Sequence, residues 1–139
     1  MTESDLESTL THLAGISAGT LHERMGFVCT YASPERVEGH MPVAGNVQPL
    51  GLWHGGASGV LAETLGSYGA SLHAAPDRIA LGIELSCSHH RSAREGLVHG
   101  VARAVALTRS LATYSIEIRD DESRLMCTAR LTCMLKERP

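Results

Sequence analysis

The chain has 139 residues and a formal charge of −3, with 43% apolar and 19% charged residues. That length fits one domain, 1–139, and the composition is that of a packed protein rather than a disordered one. Nucleic-acid binding is disfavoured: Lys and Arg number 12 against 15 Asp and Glu, and no aromatics are set among the basic residues. No apolar run approaches the roughly 18 residues of a membrane span. Residues 1–14 are acidic where a signal peptide is basic and then apolar, so a soluble cytoplasmic protein is expected.

Residues 1–15 read as a short amphipathic helix. Leu6, Leu10 and Leu13 share one side, Ser4 and Glu7 are spaced as a capping box, and Gly15 is the expected stop. From 25 to 43 the pattern is extended: Val37, Gly39, Met41 and Val43 alternate with Arg36, Glu38, His40 and Pro42, and Ser33-Pro34-Glu35 is the turn between two strands. Residues 44–56 are loop-like. Residues 54–73 then read as a long helix that ends before Pro76. Within it Gly59, Gly66 and Gly69 each cost about 1 kcal/mol relative to Ala. Such a helix needs tertiary support, and small residues suit a close approach to a sheet.

The second half alternates as strands do. Ile79, Leu81, Ile83, Leu85 and Cys87 are expected on one face of the first strand, and Val98, Gly100, Ala102, Ala104 and Ala106 on one face of the next. Ala112, Tyr114, Ile116 and Ile118 form a third run. After a turn at Asp120-Asp121-Glu122-Ser123 comes a fourth, with Leu125, Cys127, Ala129, Leu131, Cys133 and Leu135. Long adjoining strands with short links imply an antiparallel sheet. The expected class is α+β, one long central helix against a strongly bent sheet. Cys29, Cys87, Cys127 and Cys133 form no C-x-x-C pattern and are expected as small buried hydrophobes, with no metal site. Adjacent strand residues point to opposite faces, so His89 and His90 cannot chelate one ion together.

Chemistry concentrates in Gln48-Pro49-Leu50-Gly51-Leu52-Trp53-His54-Gly55-Gly56-Ala57-Ser58-Gly59-Val60-Leu61-Ala62-Glu63-Thr64-Leu65-Gly66-Ser67. A phosphate loop is excluded because Ala57 stands where its lysine belongs. A nucleophile elbow at Ser58 is excluded because Gly56-Ala57-Ser58-Gly59 is one residue short of G-x-S-x-G. What remains is an oxyanion site at a helix start, where first-turn N–H groups lack intrahelical acceptors, with an acid two turns inside. Glu63 lies eight residues beyond Gly55, roughly 12 Å along the axis by the usual rise. Ser67 is at i+4 and Gly59 at i−4. A glutamate among Leu61, Ala62 and Leu65 has a function, faces solvent on a polar stripe, or pairs with an arginine of the sheet.

H-G-G followed by L-A-E-T-L-G-S, with Q-P-x-G before it, resembles the hot-dog-fold acyl-CoA thioesterases. The nearest branch is the 4-hydroxybenzoyl-CoA type whose acid is a helix glutamate, with the phenylacetate-pathway and enterobactin-pathway thioesterases as relatives. The resemblance continues through Gly82-Ile83-Glu84-Leu85, Ser88-His89-His90-Arg91 and Gly100-Val101-Ala102-Arg103. It implies that Glu63 is the catalytic carboxylate, as nucleophile or general base. The Gly55 N–H polarises the thioester carbonyl, His54 orients the thioester, Gln48 places its amide near the reacting group, and Ser67 holds the acyl group or the water. It implies an acyl-CoA or acyl-carrier substrate with an aryl or medium-sized acyl group, no cofactor, and a homodimer or homotetramer whose sites are shared between chains. Ser88 and Thr108 stand where relatives often have Asn and Gly, and Trp53 is bulkier than the usual aliphatic residue.

For the rest of the substrate, His89 is read as a pocket residue or a hydrogen-bonded core histidine. Arg91, Arg109 and Ser110 are read as contacts to the CoA phosphates or as solvated surface. Two other functions are consistent with parts of this pattern. A hot-dog hydratase or dehydratase needs a histidine beside the acid, and the helix has none at i±3 or i±4 of Glu63. A non-catalytic acyl-CoA-binding module has no need of Glu63.

Overall fold

The computed structural model describes residues 1–139. Helix α1 spans Glu3–Ile16 and the short α2 spans Leu21–Arg24; β1 (Val28–Ala32) and β2 (Arg36–Pro42) follow as a hairpin. Helix α3 (Gly55–Ala74) leads into β3 (Arg78–His89), β4 (Leu97–Leu107), β5 (Leu111–Arg119) and β6 (Leu125–Glu137). The six strands form one sheet in the order β1-β2-β4-β5-β6-β3, with every neighbouring pair antiparallel. Helix α3 packs against β2, β3, β4, β5 and β6, so the sheet wraps it. This is the expected α+β arrangement, and β3, which follows the helix, ends as an open edge.

Alternation explains the core. Val37 and Met41 of β2, Val98 and Ala102 of β4, Ala112, Tyr114, Ile116 and Ile118 of β5, and Cys127, Leu131 and Cys133 of β6 are buried beneath the helix. From the other side Leu61, Ala62 and Leu65 enter fully buried. The glycines set the spacing. A Cβ on Gly100 would come within 2.5 Å of Leu65 Cδ1, and one on Gly66 within 2.5 Å of Leu131 Cδ2 and 3.2 Å of Leu131 Cβ.

Four features depart from expectation. The capping box of α1 is Thr2 with Asp5 rather than Ser4 with Glu7. The helix also runs through Gly15 to Ile16, because a glycine near a helix end weakens it without forcing a stop. Its one-turn neighbour α2 was not foreseen; Thr20 caps it by accepting from the Glu23 N–H.

The third departure is in β3. A bulge at Ile83, between Gly82 and Glu84, shifts its register on β6. Ala80 and Gly82 therefore share the inner face with Leu85, Cys87 and His89, opposite Leu135, Cys133, Leu131, Ala129 and Cys127, while Leu81 lies outside with Met134. A single inserted residue exchanges the faces. A second bulge at Val105 likewise turns Ala106 outward, opposite Thr113. Lastly, Cys127 and Cys133 are buried as expected, but Cys29 and Cys87 are only half-buried; all four thiols are free.

Two of the helix glycines, Gly59 and Gly66, give opposite expectations. Around Gly59 the nearest neighbour of an added Cβ is Leu85 Cδ2 at 3.8 Å, an ordinary contact. Gly59→Ala should stabilise the fold by up to about 1 kcal/mol. Gly66→Ala should destabilise it by about 1–3 kcal/mol despite the gain in helix propensity, through overpacking on Leu131. Urea unfolding of both variants checks the signs, and a stabilised Gly66→Ala would contradict the packing described.

Candidate active site

The start of α3 is held by its preceding loop. Asn46 Nδ2 donates to the carbonyls of Met25 (2.7 Å) and Pro42 (2.8 Å), and the Asn46 carbonyl accepts the His54 N–H at 2.9 Å. The Trp53 N–H donates to the Ala93 carbonyl at 2.8 Å, and its indole Nε1–H to Ser58 Oγ at 2.7 Å, a buried bond that ties loop to first turn. The bulky Trp53 therefore fixes where the helix begins. His54 is the N-cap: its Nδ1 accepts from the Gly56 N–H at 2.8 Å. In the neutral ring this leaves the proton on Nε2.

Ahead of that cap bond, the Gly55 N–H has no intrahelical acceptor and stands at the positive end of the helix dipole. His89 lies beside it: a Cβ on Gly55 would sit 3.2 Å from His89 Nε2 and 3.3 Å from Cε1. His90 takes the other face and bonds Thr128 Oγ1 at 2.9 Å. Gln48 turns back on its own loop, its Oε1 accepting from the Leu50 N–H. Only its Nε2 donors remain for another partner.

Glu63 forms a second cluster further along α3. None of the seven ion pairs includes it, so the expectation of an arginine partner does not hold. Nor is it on a solvent stripe. It is half-buried, with its carboxylate laid against Gly82 on the inner face of β3. A Cβ there would collide with Glu63 Oε1 and approach Cδ to 3.2 Å, so only glycine leaves space for the carboxylate. Ser67 Oγ donates to Glu63 Oε1 at 3.4 Å, on the side of the helix that its i+4 spacing predicts. Across the sheet from Gly82 stands buried Cys133, whose thiol is pushed up to about 11 by burial and then by the Glu63 charge.

Gly82 is the functional candidate the sequence reading missed. A glycine inside a strand pattern signals a bulge or a close backbone approach, and here both occur.

The structure groups Gln48, His54, Gly55 and His89 at one end of α3, and Glu63 with Ser67 roughly 12 Å along it by the usual helical rise. It does not group the three proposed phosphate contacts. Arg91 follows the C-terminal end of β3, beside His89. Arg109 and Ser110 lie on the β4–β5 turn, where the Arg109 carbonyl accepts from Arg78 at the start of β3. Twelve strand residues separate those ends, about 36 Å if straight. The Arg109 guanidinium reaches Glu137 at 3.9 Å with both side chains exposed, a pair of little energetic weight.

A long helix wrapped by one six-stranded antiparallel sheet is the hot-dog fold. Residues 50–127 match the model of the Thioesterase superfamily, and the chain belongs to that family. It is 42% identical over 125 residues to the proofreading thioesterase EntH of Cronobacter sakazakii, covering 89% of this chain and 91% of the relative. A crystal structure of a Haemophilus influenzae thioesterase superposes with a TM-score of 0.88 at 31% identity, covering 92% of this chain and 90% of that one. A mutant thioesterase of Pseudomonas aeruginosa gives 0.87 at 32% identity, covering 93% and 94%. The protein is a thioester hydrolase.

Gly82→Ala tests the placement of the acid. The added methyl must displace the Glu63 carboxylate, and a shift of about 1 Å at a reacting group lowers turnover about 10²-fold. Steady-state hydrolysis should show that loss in kcat, with circular dichroism unchanged. Wild-type kcat in a folded variant would contradict the described contact.

Proposed function

We propose that this thioesterase hydrolyses acyl-CoA carrying an aryl or medium-sized acyl group, with Glu63 as the catalytic carboxylate. The observation that carries the reading is that Glu63 is half-buried without a cation, cradled by Gly82 and Ser67. A carboxylate in that setting has no structural counter-charge to satisfy and is open to a substrate carbonyl or a water. The Gly55 N–H, aided by the dipole of α3, stabilises the oxyanion as the carbonyl becomes tetrahedral. His54 donates through Nε2 to orient the thioester, Gln48 through Nε2 steadies the reacting group, and Ser67 holds the acyl group or the water. His89 packs at the mouth of the Gly55 site. The leaving thiolate is the base of an acid near the free-thiol value of about 8.5, so no strong general acid is required.

The same reading calls for two chains. A carbonyl bonded to the Gly55 N–H lies far beyond the roughly 3–3.5 Å attack distance from Glu63 of its own chain. Of the two edge strands, β1 and β3, β3 carries three exposed apolar residues: Leu81, Ile83 and Leu85 are 43%, 57% and 39% exposed. Exposed apolar edges are normally covered by pairing, and a two-fold is the commonest closed arrangement. Antiparallel pairing of two β3 edges sets the start of one against the end of the other. Gln48, His54 and Gly55 of one chain then face Glu63 of its partner, and Arg91 of one chain nears Arg109 and Ser110 of the other at the CoA phosphates. Free cysteines, including two half-buried ones, suit the reducing cytoplasm.

Glu63→Gln should reduce kcat by about 10³-fold or more, the scale of losing a group that acts in the chemical step, while acyl-CoA binding stays measurable by calorimetry. Turnover near wild type would overturn the assignment. Across a panel of thioesters, benzoyl-CoA should give a higher kcat/KM than palmitoyl-CoA. A clear preference for the long chain would contradict the proposed aryl or medium-sized acyl group.

A further inference from the structure

We propose that Trp53 and Ser58 are positioning residues for the Gly55 N–H, joined by a hydrogen bond that staples the first turn of α3. The inference rests on the reading of Gly55 as the oxyanion donor. It begins from the two glycines that open the helix. A Cβ on Gly55 would sit 3.2 Å from His89 Nε2, and one on Gly56 would sit 2.9 Å from His54 Nδ1. Two imidazole rings therefore crowd side chains out of both positions. The turn that carries the oxyanion donor is made of the residue type with the most backbone freedom. Helix ends fray, and a donor that wanders does little for a transition state that needs it in one place.

The compensation lies on either side of the glycines. With His54 as N-cap, Trp53 is N′ and Ser58 is N4, the two positions that an apolar staple ordinarily joins. Here the joint is directional. The indole Nε1–H donates to Ser58 Oγ at 2.7 Å, and Trp53 and Ser58 are only 5% and 1% exposed. Trp53 is itself held from outside the helix, by its N–H on the Ala93 carbonyl at 2.8 Å and by a bridge to Val47. The bond therefore ties the soft turn to a fixed loop. Inside the stapled segment the Gly56 N–H goes to His54 Nδ1 at 2.8 Å. The Ala57 and Ser58 N–H groups go to the His54 carbonyl at 2.9 and 3.4 Å. Only the Gly55 N–H is left for a ligand. Trp53 and Ser58 are buried, and they act by fixing where that N–H points.

The test is a double-mutant cycle on the full-length enzyme, read by benzoyl-CoA hydrolysis and by amide hydrogen exchange. Trp53→Phe keeps a ring without the donor, Ser58→Ala removes the acceptor, and a third variant carries both changes. Each single change should lower kcat about five- to tenfold, the scale of one hydrogen bond, with KM within about twofold. The double variant should lose no more than the more impaired single one, because the bond can be lost only once. Exchange at the Gly56 and Ala57 amides should quicken about five- to tenfold in all three. Unchanged exchange, or kcat losses that multiply in the double variant, would overturn the staple. Faster exchange with wild-type kcat would leave the bond a purely structural one. That outcome overturns the positioning role through the assignment of Gly55 as oxyanion donor, on which it rests.

Discussion

The close approach of α3 to the sheet sets the position of every side chain the site uses. Leu61 and Leu65 rest on the bare backbone of Gly100, and Gly66 rests on Leu131. Gly66 weakens the helix locally, yet both contacts draw the helix nearer the sheet and bury more apolar surface. With the helix held there, residue 63 necessarily projects toward β3. The only space beneath it is the missing side chain of Gly82.

The bulge at Ile83 completes that arrangement. Without it, Gly82 and His89 would lie on opposite faces of β3; with it, both face inward, one at Glu63 and the other at Gly55. A single strand therefore closes both halves of the site while presenting an open edge. The inner face is committed to the helix. The apolar groups left on the outer face and edge, Leu81 and Ile83, stay largely exposed, Leu81 beside Met134. The bulge thus places two residues on the inner face and turns apolar ones out.

Most of the architecture was legible because it is governed by periodicity. The helix over 55–74, the hairpin turn at Ser33-Pro34-Glu35 and the runs of β5 and β6 all follow from spacing and turn chemistry. The face assignments of Ile79–Cys87 and of Ala106 were not, since one extra residue in a strand is invisible to alternation yet reverses everything after it. In α1 the first capping pair read from the sequence was not the one used, because Thr2 and Asp5 satisfy the same rule two residues earlier. Within the site, the i+4 relation of Ser67 to Glu63 was readable from helix geometry alone, whereas the His54 cap came from the structure. The cradle at Gly82 and the thiol of Cys133 depend on which strand lies over which turn of the helix, a pairing that local sequence does not encode.

The central claim, that one chain supplies the oxyanion end and its partner the carboxylate, is tested most directly by mixing two inactive variants. His54→Ala and Glu63→Gln are unfolded together in equal amounts, refolded, and assayed, with mixed dimers counted by native mass. If the site is shared, each mixed dimer has one doubly altered site and one intact site. Random pairing makes about half the dimers mixed, so about a quarter of wild-type activity should return under two-fold symmetry. If mixed dimers are present and no activity returns, each site lies within one chain and the account is contradicted.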